Sequence, residues 1–330
     1  MIYLLSNQND STSDLISEYL RYFGTDFYRL DYQDSIQTFT MRLSDNAQEF
    51  GFQHLGCEYV MDRDSTYFFR RGAIKFNVPI SNSDEFNPDA KKFLENEIDT
   101  IHASLPYLAE NINTFEKEKY CNKLINLKYA CDIGMNIPDT VVTNSKKEAI
   151  DFCTKFSKVI TKPIGNAHIG FVSGHEILHS TGTRVVELED LHNLDEEFGP
   201  MLLQEYAEKE VELRVFYFLG LIYCMAIFSQ KDEKTKIDYR NYNKERPNRN
   251  VPFTLPNDLK KKIALFFEKT GLQSGSLDFI LNKEGKYIFL EVNPSGQFGW
   301  VSSNCNFYIE KNIALALENY HSKHGFNKNL

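Results

Sequence analysis

The run Ser276-Leu277-Asp278-Phe279-Ile280-Leu281, the turn Asn282-Lys283-Glu284-Gly285-Lys286 and the run Tyr287-Ile288-Phe289-Leu290-Glu291-Val292-Asn293-Pro294-Ser295-Gly296 decide how this chain is read. Two apolar runs joined by a short polar turn predict a β-hairpin. On it Asp278 and Glu291 lie side by side, with Asn293 two residues on and facing the same way. Two carboxylates and an amide oxygen crowded together repel one another unless a hard cation sits between them. Mg²⁺ suits such a set, because it is commonly held by one or two carboxylates plus nucleotide phosphates. A solvated acidic edge strand would carry the same charges, but Leu277, Phe279 and Ile280 wall Asp278 and favour the metal set.

Working outward, the 330 residues exceed one simple core and predict two or three subdomains. A content of 42% hydrophobic and 14% aromatic residues excludes global disorder. The formal net charge of −9 argues against nucleic acid as the main partner, which needs a basic surface. The 6 cysteines are scattered without metal or disulfide spacing, as in a reducing compartment. The opening residues lack the basic start of a signal peptide, and no apolar run approaches the ~18 residues of a membrane helix. A soluble, cytoplasmic protein with no membrane partner is expected.

Strand, helix and strand over residues 2–5, 12–23 and 27–30, an irregular β-rich stretch and a helix over 88–107 predict a small α/β region. Residues 111–119 read as a polar connector and 119–133 as a helix, closed by Gly134 and Pro138. A strand, helix and strand follow at 140–143, 146–156 and 158–161. From about residue 201 long β runs alternate with one helix at 256–270, and a helix over 307–321 closes the chain.

Cations lie upstream of the hairpin. Lys162 ends a strand, is followed by Pro163, and faces a glycine-containing loop, a placement from which it can reach a phosphate as a point charge. Lys123, at the start of its helix, is a second candidate, although a solvated lysine would look the same. In Leu202-Leu203-Gln204-Glu205-Tyr206-Ala207-Glu208 an apolar strand exits into a polar hinge. A new strand then sets Glu212 and Arg214 on one face, opposite Leu213 and Val215. Residues 231–251 are polar and carry Arg240, Lys244, Arg246 and Arg249, as a solvated loop or a peptide-binding lid would. A structural salt bridge and a substrate contact both fit Arg70 and Arg71.

In order and spacing these residues resemble the ATP-grasp superfamily of carboxylate ligases, over residues about 119–300. The resemblance implies an N-terminal α/β domain (1–118), a central subdomain (119–203) and a C-terminal antiparallel-sheet subdomain (204–330), with ATP between the last two. It implies that Lys123 and Lys162 hold the ATP phosphates. Glu205 would face the adenine, Tyr206 and the following backbone would bind its edge, and Glu208 and Glu212 continue the nucleotide set. Asp278, Glu291 and Asn293 would bind Mg²⁺. The Tyr67-to-Arg71 segment and Asn293-Pro294-Ser295-Gly296-Gln297-Phe298-Gly299-Trp300 further resemble the graspetide synthetases, the microviridin-type and grasp-with-spasm peptide maturases. That likeness implies a homodimer that recognises the leader of a ribosomal precursor peptide. Its members phosphorylate an Asp or Glu side chain, which a Ser, Thr or Lys of the same peptide attacks to close an ester or amide ring. In that chemistry Lys162 is catalytic, Arg214 grips the acceptor carboxylate or its phosphate, and Arg240 assists. The glycines of residues 165–174 suit a flap over the phosphates.

His175-Glu176-Ile177-Leu178-His179 matches the zinc-protease pattern, but that pattern works only on a helix, and the surrounding glycines predict none. Two other functions fit less well. One is an ATP-grasp ligase that adds a free amino acid to a peptide, protein or small molecule. D-alanine ligases carry Arg two residues before the metal Asp, where this chain has Ser276. The other is a non-catalytic nucleotide-binding regulator, which has no use for an intact set of costly site groups.

Overall fold

The structure is a computed structural model that describes residues 1–76, 88–165, 170–173, 176–179, 182–230 and 247–325. Its N-terminal region is built on four parallel strands in the order Phe27–Asp31, Ile2–Ser6, Thr66–Phe69, Glu110–Ile112. Strand alternation sorts their side chains onto two faces. Ile2, Leu4, Phe68 and Ile112 enter a core shared with helices Ser11–Phe23 and Ile309–Gly325. Tyr3, Leu5, Tyr67 and Phe69 enter a second core, closed by the antiparallel meander Thr38–Leu43, Gln48–His54 and Cys57–Asp62 and by the helix Pro88–Ser104.

The polar connector expected at residues 111–119 is not one. It supplies the fourth strand, whose Ile112 is fully buried, and a short helix, Phe115–Lys119, capped by Thr114. The next helix accordingly starts later than expected, at Lys123–Asp132. The Asn122 side chain caps it by accepting from the amides of Leu124 and Ile125. A further short helix, Gly299–Cys305, was not expected from its Gly-, Ser- and Asn-rich sequence. Burial of Val301 and Cys305 in the shared core holds it in place.

The central sheet runs Thr140–Ser145, Glu197–Glu205, Val159–Thr161, Arg184–Val186, all antiparallel. Helices Lys146–Cys153 and Leu188–His192 cover one face over Val159 and Leu203. The C-terminal sheet runs Arg249–Pro252, Leu221–Phe228, Val211–Phe218, Ser274–Leu281, Tyr287–Asn293, also antiparallel. Leu213, Val215, Leu277 and Phe279 pack on helix Asn257–Thr270 and on Leu127 and Ala130 of the Lys123–Asp132 helix. The opposite face is divided. Phe216 and Phe218 pack into the core shared with the N-terminal sheet, whereas Glu212 and Asp278 face a cleft against the open face of the central sheet, with Arg214 bonded to Asp278.

The histidine-rich run at residues 175–179 forms no helix where it is described. Glu176–His179 is a strand paired with Gly170–Ser173, and His175 lies outside the described residues. No helix among the described residues is long and apolar enough to cross a membrane.

One buried base ties the N-terminal core to the segment after Arg70 and Arg71. His102 Nε2 accepts from the Ile74 amide at 2.7 Å, which requires the neutral ring. Burial lowers the His102 pKa to about 4, with Asp99 opposing and Lys119 reinforcing the shift. Because the folded value lies below the unfolded one, this contribution is complete above pH 6.5 and is lost as pH falls towards 4. Equilibrium denaturation should show about 3 kcal/mol of stability lost across that interval, and His102→Gln should remove that part of the pH slope. An unchanged slope in the variant would show that the ring is not held neutral.

Candidate active site

The hairpin forms with Asp278 directly opposite Glu291 and Ser276 opposite Asn293. Strict alternation would have placed Glu291 on the same face as Phe289. The register shifts between Asp278 and Phe279, so that Asp278 pairs with Glu291 but Phe279 with Phe289, leaving Leu290 as the extra residue of a bulge. Phe289 and Val292, three positions apart, therefore both enter the core, while Leu290 and Glu291 both line the cleft. Two carboxylates in register on one face repel, and each is met by a cation. Arg214 Nη1 bonds Asp278 Oδ1 at 2.8 Å, and Lys123 Nζ lies 3.8 Å from Glu291 Oε2.

Lys123 also donates to the carbonyl of Pro163 at 2.9 Å, tying the hairpin to the loop that carries Lys162. Lys162 itself lines the cleft, just beyond the Val159–Thr161 strand. Glu205, Tyr206 and Glu212 line it as well. Glu208 is exposed and lies off the lining, and Lys209 takes the inward position instead. Lys209 Nζ bonds Glu212 Oε1 at 2.7 Å, and Ser229 Oγ donates to the same oxygen. Burial raises the Glu212 pKa, and Lys209 and Ser229 oppose that rise. The sequence reading missed Lys209, which looks like one more solvated lysine in a polar hinge. Its only signal is the three-residue spacing to Glu212. The reading also missed Gln204, a buried residue on the cleft side of the central sheet that donates to Thr140 Oγ1 at 2.8 Å. Arg240, Lys244 and Arg246 lie outside the described residues. Arg249 sits on an edge strand, its guanidinium 5.8 Å from the Phe228 ring centre.

Asn293 is the most exposed of the three hairpin residues expected to bind metal, and its Oδ1 accepts from the Ser295 amide at 3.1 Å. The loop after it packs against Ser276 and Arg214. A Cβ on Gly296 would lie 2.4 Å from Ser276 Cβ and 3.0 Å from Arg214 Nη2. From the other side, Arg70 and Arg71 donate to the Ser295 carbonyl at 2.9 and 2.8 Å. Of the two readings of Arg70, the structural salt bridge holds, with buried Asp10 at 3.4 Å. Two carboxylates and an amide oxygen beside a lysine-lined cleft are a hard, oxygen-only donor set that fits Mg²⁺ carrying nucleotide phosphates. A broader depression lined by Met41, Tyr107, Phe115 and Tyr120 has nothing comparable. Its ion pair, Lys119 with Asp99 at 2.6 Å, stands on exposed surface.

No family model and no curated protein matches the chain. Solved structures do. A Chryseobacterium gregarium RiPP-associated ATP-grasp ligase, in complex with ADP and a leader and core peptide, superposes with a TM-score of 0.82 at 24% identity, over 98% of this chain and 96% of its own. The macrocyclase MdnC from Microcystis aeruginosa, bound with precursor peptide MdnA, superposes at 0.78 and 23% identity, over 97% and 100%. The ATP-grasp ligase PsnB, complexed with minimal precursor, Mg and ADP, superposes at 0.73 and 18% identity, over 97% of each chain. The chain has the ATP-grasp fold along essentially its whole length.

Replacing Gly296 with alanine forces the loop off Ser276 and Arg214, a backbone-level adjustment expected to cost about 1–3 kcal/mol. Gly296→Ala should remain folded by circular dichroism but bind ADP with Mg²⁺ more weakly, as measured by calorimetry. Affinity equal to the wild type would mean that the loop's position is immaterial to the site.

Proposed function

We propose that this protein is an ATP-dependent peptide macrocyclase that condenses an Asp or Glu side chain of a precursor peptide with a Ser, Thr or Lys side chain of the same peptide. The observation that carries this reading is one cleft between two sheets lined by Lys162, Asp278 and Glu291, with Arg214 bonded to Asp278 and Lys123 beside Glu291 and bonded to the loop of Lys162. The full-length likeness to ligases solved with leader, core or precursor peptides supports it.

A carboxylate does not react with a hydroxyl, because an oxide is a poor leaving group. A carboxylate oxygen of the peptide attacks the γ-phosphorus of ATP, the bond to the β-phosphate oxygen breaks, and ADP leaves. The hydroxyl or amine then adds to the carbonyl carbon of the acyl phosphate, inorganic phosphate departs, and the nucleophile's proton is lost. The ring has formed at the expense of ATP, and the peptide is lighter by one water. Transfer of this kind needs charge neutralisation and alignment more than covalent help from the protein. Lys123 and Lys162 supply positive charge towards the phosphates, and Arg214 presents a planar fork that matches a carboxylate or acyl phosphate. Asp278, Glu291 and Asn293 would hold Mg²⁺, which when bound neutralises phosphate charge. Ile160, Ile280 and Leu290 give the nucleotide side of the cleft an apolar lining, with Glu205 and Tyr206 at the hinge and Glu212 deeper in. The same resemblance suggests a leader-bearing precursor as partner and a homodimer as the working form.

The reading is tested by incubating the protein with ATP, Mg²⁺ and a Thr- and Glu-rich peptide encoded beside its gene, followed by mass spectrometry. Loss of one water per ADP released is expected. A gain of an amino-acid residue would instead identify a ligase for free amino acids, and absence of ATP turnover with any acceptor would overturn both. Lys162→Ala and Asp278→Ala should each lower turnover by more than about 100-fold, the usual cost of removing a group that stabilises transition-state charge. Substantial activity in both would refute the site.

A further inference from the structure

The N-terminal parallel sheet reverses its winding between Ile2–Ser6 and Thr66–Phe69. Open α/β sheets bind ligands in the crevice beyond the carboxyl ends of the strands at such a point. Here the crevice holds part of the chain itself. Asp10 follows the first strand, Arg70 and Arg71 follow the third, and between them and the C-terminal sheet lies the loop after Asn293. Besides the bonds from Arg70 and Arg71 to the Ser295 carbonyl, Arg70 Nη2 reaches the Gly296 carbonyl at 3.5 Å, and its guanidinium lies 5.0 Å from the centre of the Phe298 ring. Gly299 presses on the first helix so closely that a Cβ there would lie 2.8 Å from Thr12 Cγ2.

Arg70 is 4% exposed and Asp10 1%. A cation and an anion this deep persist only when paired and hydrogen-bonded. Asp10 accepts from Thr12 Oγ1 at 2.6 Å and from Ser13 Oγ at 3.0 Å, so it is already held rigidly before it meets Arg70. Burial works to raise its pKa, but Arg70 and the two hydroxyls prevail and the pKa is lowered. Burial lowers Arg70 to about 10, which leaves it charged at neutral pH. The same loop touches Arg214, whose fork pairs with Asp278, so its placement bears on both the metal ligand Asn293 and the acceptor-binding cation.

We infer that the Asp10–Arg70 pair is a positioning device of the active site, fixing the Ser295 and Gly296 carbonyls so that Asn293 and Arg214 stand in working register with Asp278 and Glu291. Neither residue contacts substrate in this role. It rests on the reading of the cleft as a metal–nucleotide site. A neutral strut of similar shape would maintain the fold, but it would not present one donor to each of two successive carbonyls. A lysine would keep the charge and lose the fork.

The test is Mn²⁺ binding to the ADP complex, followed by electron paramagnetic resonance, in Arg70→Lys and in the paired replacement Asp10→Leu with Arg70→Met. The paired replacement removes both buried charges together and so guards against unfolding of the single variant. Thermal melting checks that each is folded. Mn²⁺ affinity should fall by about tenfold or more, the usual result of removing a partner that orients a metal ligand. ADP binding without metal should be unchanged. Asp278→Ala serves as the reference for a damaged metal site. If the Arg70 variants bind Mn²⁺–ADP like the wild type while Asp278→Ala does not, the positioning role is overturned and the site reading stands. If Asp278→Ala also binds like the wild type, the site reading falls and the inference falls with it.

Discussion

Opposing Asp278 and Glu291 across a strand pair is the constraint on which the rest of this structure depends. Like charges directly opposite one another across a strand pair are destabilising. Relief comes from outside the hairpin. Arg214 stands on the neighbouring strand, and Lys123 opens a helix packed beneath the same sheet. Through its bond to the Pro163 carbonyl, Lys123 also fastens the central sheet across the cleft. The cations that make the carboxylate pair tolerable thus also join the C-terminal sheet to the loop that carries Lys162.

The C-terminal sheet serves three masters on two faces. Its fully apolar face needs two helices, and this is why the Lys123–Asp132 helix, early in the chain, packs against strands that follow far later. Its other face is apolar at Phe216 and Phe218 and charged at Glu212 and Arg214, along a single strand. The apolar end docks on the N-terminal sheet, so the charged end is left open to the central sheet. The cleft exists because one strand changes character halfway along its length.

Much of this was legible in the residues. The hairpin with its two carboxylates and the lysine at the strand end were legible as motifs, and the separation of Glu212 and Arg214 from Leu213 and Val215 follows from period-two patterning. The bulge at Leu290 was not so plain, although Phe289 and Val292 hint at it. Two core residues three apart cannot share a face of a regular strand, and only an inserted residue reconciles them. The connector misjudged at residues 111–119 failed for a different reason. Its mean polarity is high, but one isoleucine, Ile112, completes the parallel sheet, and burial outweighs composition. Lys209 was invisible because nothing local distinguishes a buried ion pair from a solvated lysine. Ser229, which donates to the same Glu212 oxygen, lies 17 residues beyond Glu212.

The Arg70–Asp10 pair belongs to this last kind, since its meaning comes from a loop 225 residues away. Arg70 follows the aromatic run Tyr67-Phe68-Phe69 because those rings fill cores on both faces of the N-terminal sheet and drive the strand end inward. A guanidinium delivered to that depth must find anions and carbonyls, and it finds Asp10 on one side and the Ser295 carbonyl on the other. Gly296 is then required because the loop is gripped from below by Arg70 and pressed from above by Ser276, leaving no room for a Cβ. The hairpin carries Asn293, but the loop that follows it is held by Arg70 and Arg71 at the end of a strand of the N-terminal sheet, so the two sheets share in placing it.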